Sequence, residues 1–153
     1  MIAEIILATT IHLSPCHTST YDDTNLLHAI MMVESGGDPN AVGDNGKAIG
    51  PYQIHRVYWL DAVEYDKSIG GKYSDCTNKA YAEKVVRAYW RRYATDRRIG
   101  RPVTDADRAR IHNGGPNGFK KAATRPYWEK VKSRLKKISN ILSYRLTSSE
   151  SVV

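Results

Sequence analysis

Splitting a glycosidic bond takes two carboxyl groups in unlike surroundings, one to protonate the leaving oxygen and one to attack or stabilise the oxocarbenium centre. Glu34 and Asp44 could form such a pair. Glu34 follows Leu27 by two helical turns and Ile30 by one, which puts its carboxyl on the face that turns toward the core. Partial desolvation there disfavours the charged form, so its pKa is expected to rise toward that of a general acid. Asp44 precedes Asn45-Gly46 in a polar turn, where it is expected to stay ionised. Each has a plainer reading: Glu34 as a cap or ion-pair partner at a helix end, Asp44 as an ordinary turn aspartate.

The elements that must present these groups read as mostly helical. Asp22-Asp23-Thr24 offers N-caps to a helix over 25–35, whose residues Leu26, Leu27, Ile30, Met31 and Val33 make one apolar stripe before Gly36-Gly37 stops it. Residues 41–50, centred on Asn45-Gly46, predict a β-hairpin, the one sheet expected. A short helix follows over about 57–63 and a longer one over about 77–95. The longer helix turns Tyr81, Val85, Ala88, Tyr89 and Tyr93 inward, and Lys84, Arg87, Arg91 and Arg92 outward. Thr104 and Asp107 resemble a capping box opening another helix, which ends at Asn113-Gly114-Gly115-Pro116. A last helix starts near Pro126 with Tyr127, Trp128, Val131 and Leu135 on one face. The expected fold class is therefore mostly α (α+β), a helical domain with a small β-hairpin beside an active-site cleft. Residues 21–138 form the expected domain, 1–20 a signal or N-terminal extension, and 139–153 a loosely ordered tail.

A chain of 153 residues is one domain's worth, able to bury a single core. Its 41% apolar and 25% charged residues, without low-complexity tracts, disfavour disordered and fibrous classes. Lys and Arg number 23 against 16 acidic residues, a net charge of +7 that favours polyanionic partners such as an anionic bacterial wall. Lys84, Arg87, Arg91, Arg92, Arg97 and Arg98 form the candidate basic face. Nucleic acid is not expected, because these cations lack interleaved aromatics. No apolar run is long enough to span a bilayer, so stable membrane insertion is not expected. The first thirteen residues carry the apolar core of a secretory signal, but Glu4 stands where a basic region belongs, and a packed N-terminal segment fits equally well. Two cysteines, Cys16 and Cys76, cannot make a disulfide framework, and five scattered histidines lack ligand spacing, so no metal and no cofactor are expected.

Several segments then fall in a recognisable order: Val33-Glu34-Ser35-Gly36-Gly37, Gly50-Pro51-Tyr52-Gln53-Ile54, Tyr58-Trp59-Leu60-Asp61, Arg92-Tyr93-Ala94, Ala109-Arg110-Ile111-His112-Asn113-Gly114-Gly115-Pro116 and Tyr127-Trp128. Together they resemble the invertebrate-type (i-type) lysozyme family, which includes destabilase, over roughly residues 26–135. The resemblance implies a lysozyme-like fold, and a monomer that cleaves β-1,4 bonds between N-acetylmuramic acid and N-acetylglucosamine in bacterial peptidoglycan, with chitin oligosaccharides as a related substrate. It implies that Glu34 is the general acid and Asp44 the aspartate, with Asp38 the fallback although it lies too near Glu34. It also favours Tyr52, Gln53, His112 and Asn113 as substrate-binding residues, whereas Trp59 and Trp128 read as core. Members are generally secreted and cysteine-rich, so an extracellular location is expected from the family while the cysteine usage departs from it. Two rivals stay open: a lytic transglycosylase using Glu34 without an aspartate, and a non-catalytic cationic protein that binds walls.

Overall fold

The computed structural model describes residues 22–149, with side chains through residue 141. Its first helix, α1 (Thr24–Glu34), buries Leu26, Leu27, Ile30 and Met31 of the predicted stripe and Ala29 besides, while Val33 is only partly buried. Each buried aliphatic side chain of this size contributes about 1.5–3 kcal/mol. The capping differs from expectation. Asp23 occupies the N-cap position without a side-chain cap bond, while Asp22 Oδ1 accepts from the Thr24 N–H at 3.0 Å. The Asp23 carboxylate is held instead by Arg87, 2.9 Å away, which ties the start of α1 to the middle of the chain.

Three short antiparallel strands follow, β1 (Val42–Gly43), β2 (Ala48–Ile49) and β3 (Ile54–His55), in the order β1-β2-β3. Val42 pairs with Ile49 and Gly43 with Ala48, while Ala48 pairs with His55 and Ile49 with Ile54. The hairpin is where the Asn-Gly signal predicts it, closed by a tight turn over Asp44–Gly46 in which Asp44 and Asn45 take left-handed φ of 48° and 54°. The third strand is a correction, since two residues are too few for an alternating pattern to register.

The helical body consists of α2 (Arg56–Tyr65), α3 (Lys79–Tyr93), the single turn α4 (Asp96–Ile99), α5 (Asp105–Gly114) and α6 (Arg125–Ser149). Asn78 caps α3 by accepting from the Tyr81 N–H at 3.0 Å, and Thr104 with Asp107 forms the predicted capping box on α5. α3 is central, burying Ala82, Val85, Val86, Ala88, Tyr89 and Trp90. Tyr89 stacks on Tyr58 of α2 with ring centroids 3.6 Å apart. α6 packs along α1 and α5 through Val131, with Tyr127, Trp128 and Leu135 partly buried beside it.

Two expectations change. The backbone of α6 runs on through 149, into the segment expected as a tail; residues 1–21 and 150–153 lie outside the described residues. The outward arginines of α3 are no free basic face. Arg87 pairs with Asp23 and Glu83, Arg91 with Asp66 at 2.6 Å, and Arg92 with Glu64 at 2.7 Å. No helix of the described residues is long and apolar enough to cross a membrane. Cys76 is a fully buried free thiol, pushed up to about 12 by burial and by Asp75; Cys16 lies outside the described residues.

Candidate active site

Glu34 is the last residue of α1, and its side chain is 17% exposed. Tyr127, from the first turn of α6, donates its hydroxyl to Glu34 Oε1 at 2.6 Å. Burial, reinforced by the Glu34 charge, holds the Tyr127 hydroxyl far above the ordinary phenol range, so it remains a donor. His112 Nε2 lies 3.5 Å from the same oxygen. Both neighbours address Oε1, leaving Oε2 without a hydrogen-bond or ion-pair partner among the described residues.

Asp44 projects from the hairpin turn in the left-handed backbone region, which short polar side chains tolerate best after glycine. Its carboxylate is 69% exposed, and Nε2 of His55 on β3 lies 2.9 Å from Oδ2. The two carboxyls share one cavity. A cleft of about 290 Å³ is lined by Glu34 on one side and by Gly43, Asp44, Ala48, Gln53 and His55 of the sheet on the other, with His112 and Asn113 between. A second hollow of about 430 Å³ continues from Asp44, His55, His112 and Asn113 toward Tyr58, Asp61 and Pro116. The lining of the first cleft is mostly polar, and the two hollows share Asp44, His55, His112 and Asn113.

The spacing of acid and sheet is held by the turn at 50–53. Ser35 Oγ donates to the Pro51 carbonyl at 2.9 Å, fastening the end of α1 to the turn. Gln53, at φ 46°, donates Nε2–H to the carbonyls of Gly50 (2.9 Å) and Ala41 (3.2 Å), fastening the turn to the hairpin. Gly43 leaves room for the Gln53 side-chain oxygen, which a Cβ there would meet. Gly50, at φ 74°, lies against the backbone carbonyl of Cys76, where no side chain fits.

The four residues expected to touch substrate divide. Asn113 is exposed on the cleft wall, and its amide has no partner among the described residues, so it is free to bind. Gln53 lines the cleft, although its nitrogen is engaged in the turn. Tyr52 is a correction: it is fully buried, donates to Glu83 Oε1 at 3.0 Å, and reaches the site through its backbone carbonyl alone. His112, with a side chain 4% exposed, has both ring nitrogens occupied. Nε2 lies 3.2 Å from the Tyr52 carbonyl, which can accept but not donate, so that nitrogen carries the proton; Nδ1 accepts from the Tyr58 hydroxyl, also at 3.2 Å. The tautomer follows from these partners. His112 thus presents a ring edge to the cleft while its nitrogens brace the wall. Asp38 lines no part of this cleft. Trp59 packs against the core and donates to Tyr81, and Trp128 packs against the core as expected.

Two members of the site were not foreseen. His55 carried no motif, although residues 53 and 55 lie two apart and share one face of an extended segment. Tyr127 was visible as part of the α6 stripe, but its hydroxyl's reach to a residue 93 positions away leaves no mark in the sequence. Among the described residues no three His, Cys, Asp or Glu side chains converge as a metal-ligand set.

Comparisons with known proteins extend the picture. A family model described as Destabilase matches residues 23–134. Lysozyme 1 of Crassostrea virginica is 38% identical over 111 residues, which cover 71% of this chain and 57% of that protein. A lysozyme of Magallana gigas is 37% identical over 108 residues, covering 69% and 74%. The matched stretch is thus less than two thirds of the first relative's length and about three quarters of the second's. Among solved structures, Tapes japonica lysozyme is 31% identical with a TM-score of 0.59, covering 71% of this chain and 86% of its own. The inhibitor-bound lysozyme from Meretrix lusoria is 32% identical with a TM-score of 0.61, covering 72% and 88%.

Proposed function

The chain belongs to the destabilase family of invertebrate-type lysozymes, and from that premise we propose that it is itself a lysozyme, a glycoside hydrolase cleaving the β-1,4 bond between N-acetylmuramic acid and N-acetylglucosamine of bacterial peptidoglycan. The observation that carries the reading is the single cleft lined by both Glu34 and Asp44. Glu34 protonates the glycosidic oxygen from Oε2, because Tyr127 addresses Oε1. Asp44, solvent-exposed on the far wall, attacks or stabilises the anomeric carbon as the bond opens. Glu34, now a carboxylate, takes a proton from water, whose oxygen replaces Asp44 at that carbon, with retention of configuration. A retaining geometry requires carboxyls about 5–5.5 Å apart, against about 6.5–9.5 Å for inversion. Asn113 and the side-chain oxygen of Gln53 are suited to the N-acetyl and hydroxyl groups of the sugars.

Every group the mechanism needs comes from one chain, so the working unit is a monomer. The substrate lies outside bacterial cells, so the protein acts extracellularly. Chitin oligosaccharides, which share the β-1,4-linked N-acetylglucosamine, are a second substrate in this reading.

Turbidity of bacterial wall suspensions, followed with wild type, Glu34→Gln and Asp44→Asn, tests the proposal. Both variants are expected to lose at least about 100-fold in rate while melting as the wild type does, since loss of a positioned acid or base alone removes about 10²–10⁴-fold. Lysis retained by Glu34→Gln would overturn the acid assignment. Full activity in Asp44→Asn, with anhydro-sugar products, would mean a transglycosylase instead.

A further inference from the structure

The charge excess of the chain is not spread over its surface. α6 carries seven Lys and Arg residues against Glu129 alone, a net of +6 in a chain of net +7. The rest of the molecule is therefore close to neutral, and on α3 the arginines are already paired. On α6, Lys130, Arg134 and Lys137 are exposed and have no ion-pair partner among the described residues; Glu129 leans toward Lys132 at 3.9 Å. Positions 130, 134 and 137 follow the helical repeat, so the three cations form one stripe, with rises of about 6 Å and about 4.5 Å between them.

This stripe borders a groove. Met32 and Val33 of α1 form its partly buried apolar floor, and Lys130, Ser133, Arg134 and Lys137 its rim, with Glu129 the one carboxylate in the lining, around a volume of about 520 Å³. The groove belongs to the same helix pair that builds the acid: Glu34 follows Val33 on α1, and Tyr127 lies one turn before Lys130 on α6. None of its lining residues lines the catalytic cleft.

We propose that the groove between α1 and α6 binds a linear phosphodiester polyanion through Lys130, Arg134 and Lys137, a polyol phosphate of the kind bacterial walls carry bonded to their glycan. The choice of occupant rests on charge complementarity: a row of cations matches a flexible chain that repeats one permanent negative charge, and Arg and Lys both favour phosphate. A stacked nucleic-acid base finds no aromatic side chain in the groove. Met32 and Val33 are partly buried, and among the described residues only Ile141, one turn past Lys137, is an exposed large apolar side chain along the stripe, too little for a helix to lie in a lipid surface. The wall as the polymer's source rests on the hydrolase reading above; the groove's preference for phosphodiester does not. Held there, a wall polymer keeps the attached glycan within reach of the cleft through successive cleavages.

The test measures binding of purified poly(glycerol phosphate) by calorimetry at low and at physiological salt. The proteins are wild type, the triple variant Lys130→Ala/Arg134→Ala/Lys137→Ala, and a control triple, Lys67→Ala/Lys84→Ala/Arg97→Ala, which removes equal charge from exposed sites elsewhere. The groove variant is expected to lose about tenfold or more in affinity, since three exposed charge contacts are removed. The control should stay within about twofold of wild type, and wild-type binding should weaken as salt rises. Cleavage of a short neutral oligosaccharide should be unchanged in the groove variant. Its adsorption to intact walls should fall to the level that wild type shows on walls stripped of phosphate polymer by hydrofluoric acid. Equal losses in the two triples would overturn the site in favour of unspecific attraction. Wild-type binding to phosphatidylglycerol vesicles but not to the polymer would overturn it in favour of a lipid surface. Glu34→Gln is expected to bind the polymer as wild type does, so loss of the hydrolase reading and loss of this one register in different measurements.

Discussion

Tyr127 donates to Glu34 at 2.6 Å, so the acid's rotation about its last bond is fixed by a neighbour that burial keeps protonated. Removing the hydroxyl while keeping the ring separates aim from packing. Tyr127→Phe is expected to lower kcat by about 10- to 100-fold with KM little changed, the penalty of a misplaced reacting group, in steady-state assays on a soluble oligosaccharide. An equal rise in KM would mean that the hydroxyl serves binding instead. At this scale the placement of Glu34 at a helix end and of Asp44 in a polar turn was legible in the sequence, one from helical period and the other from turn chemistry. The deep burial of Tyr52 and the bracing role of His112 were not. Both depend on what packs over the 50–53 turn, α3 with Glu83 and α2 with Tyr58, and such tertiary cover leaves no local pattern.

Among the elements, the 50–53 turn does the most to set the distance across the cleft, because α1 and the hairpin are both bonded to it through Ser35 and Gln53. Gly50 lets that turn lie against Cys76. Gly50→Ala adds a strained left-handed residue and a backbone clash, with an expected loss of more than about 2 kcal/mol. Urea unfolding checks it through a lower midpoint at unchanged slope. The long elements were legible because α1, α3 and α5 each join a clear apolar period or capping box to a glycine or a polar stop. The third strand was not, being two residues of sheet placed by partners.

For the whole molecule, titration sets the limits. Asp22 and Asp66 are held below the ordinary 3.8 chiefly by bonds from Thr24 and Ser68. Asp107 is also held below it, since bonds from Arg101 and Thr104 outweigh the opposing effect of burial. A lowered carboxyl adds stability that is present above its unfolded value and lost as pH falls through its folded value. Tyr52, Tyr58, Tyr89 and Tyr127 are raised above the ordinary 10.0, mainly by burial, and stability from such groups is present below that value and lost as pH rises beyond it. For these groups together, the thermal midpoint should be level between about pH 5 and 9 and fall below about 4 and above about 10. Asp107→Asn, which weakens the α5 cap and the Arg101 contact, should cost about 2–3 kcal/mol at neutral pH and make the acid-side fall shallower, as calorimetry across pH would register.

The 93 positions between Glu34 and Tyr127 also bear on how the molecule is made. At ordinary speeds of translation, a ribosome takes about 5 to 20 seconds to travel from one to the other. Throughout that interval the emerging polypeptide already owns its acid but lacks the phenol that aims it. On the proposed reading, a nascent chain that stops short of Tyr127 carries Glu34 without the hydroxyl that addresses Oε1.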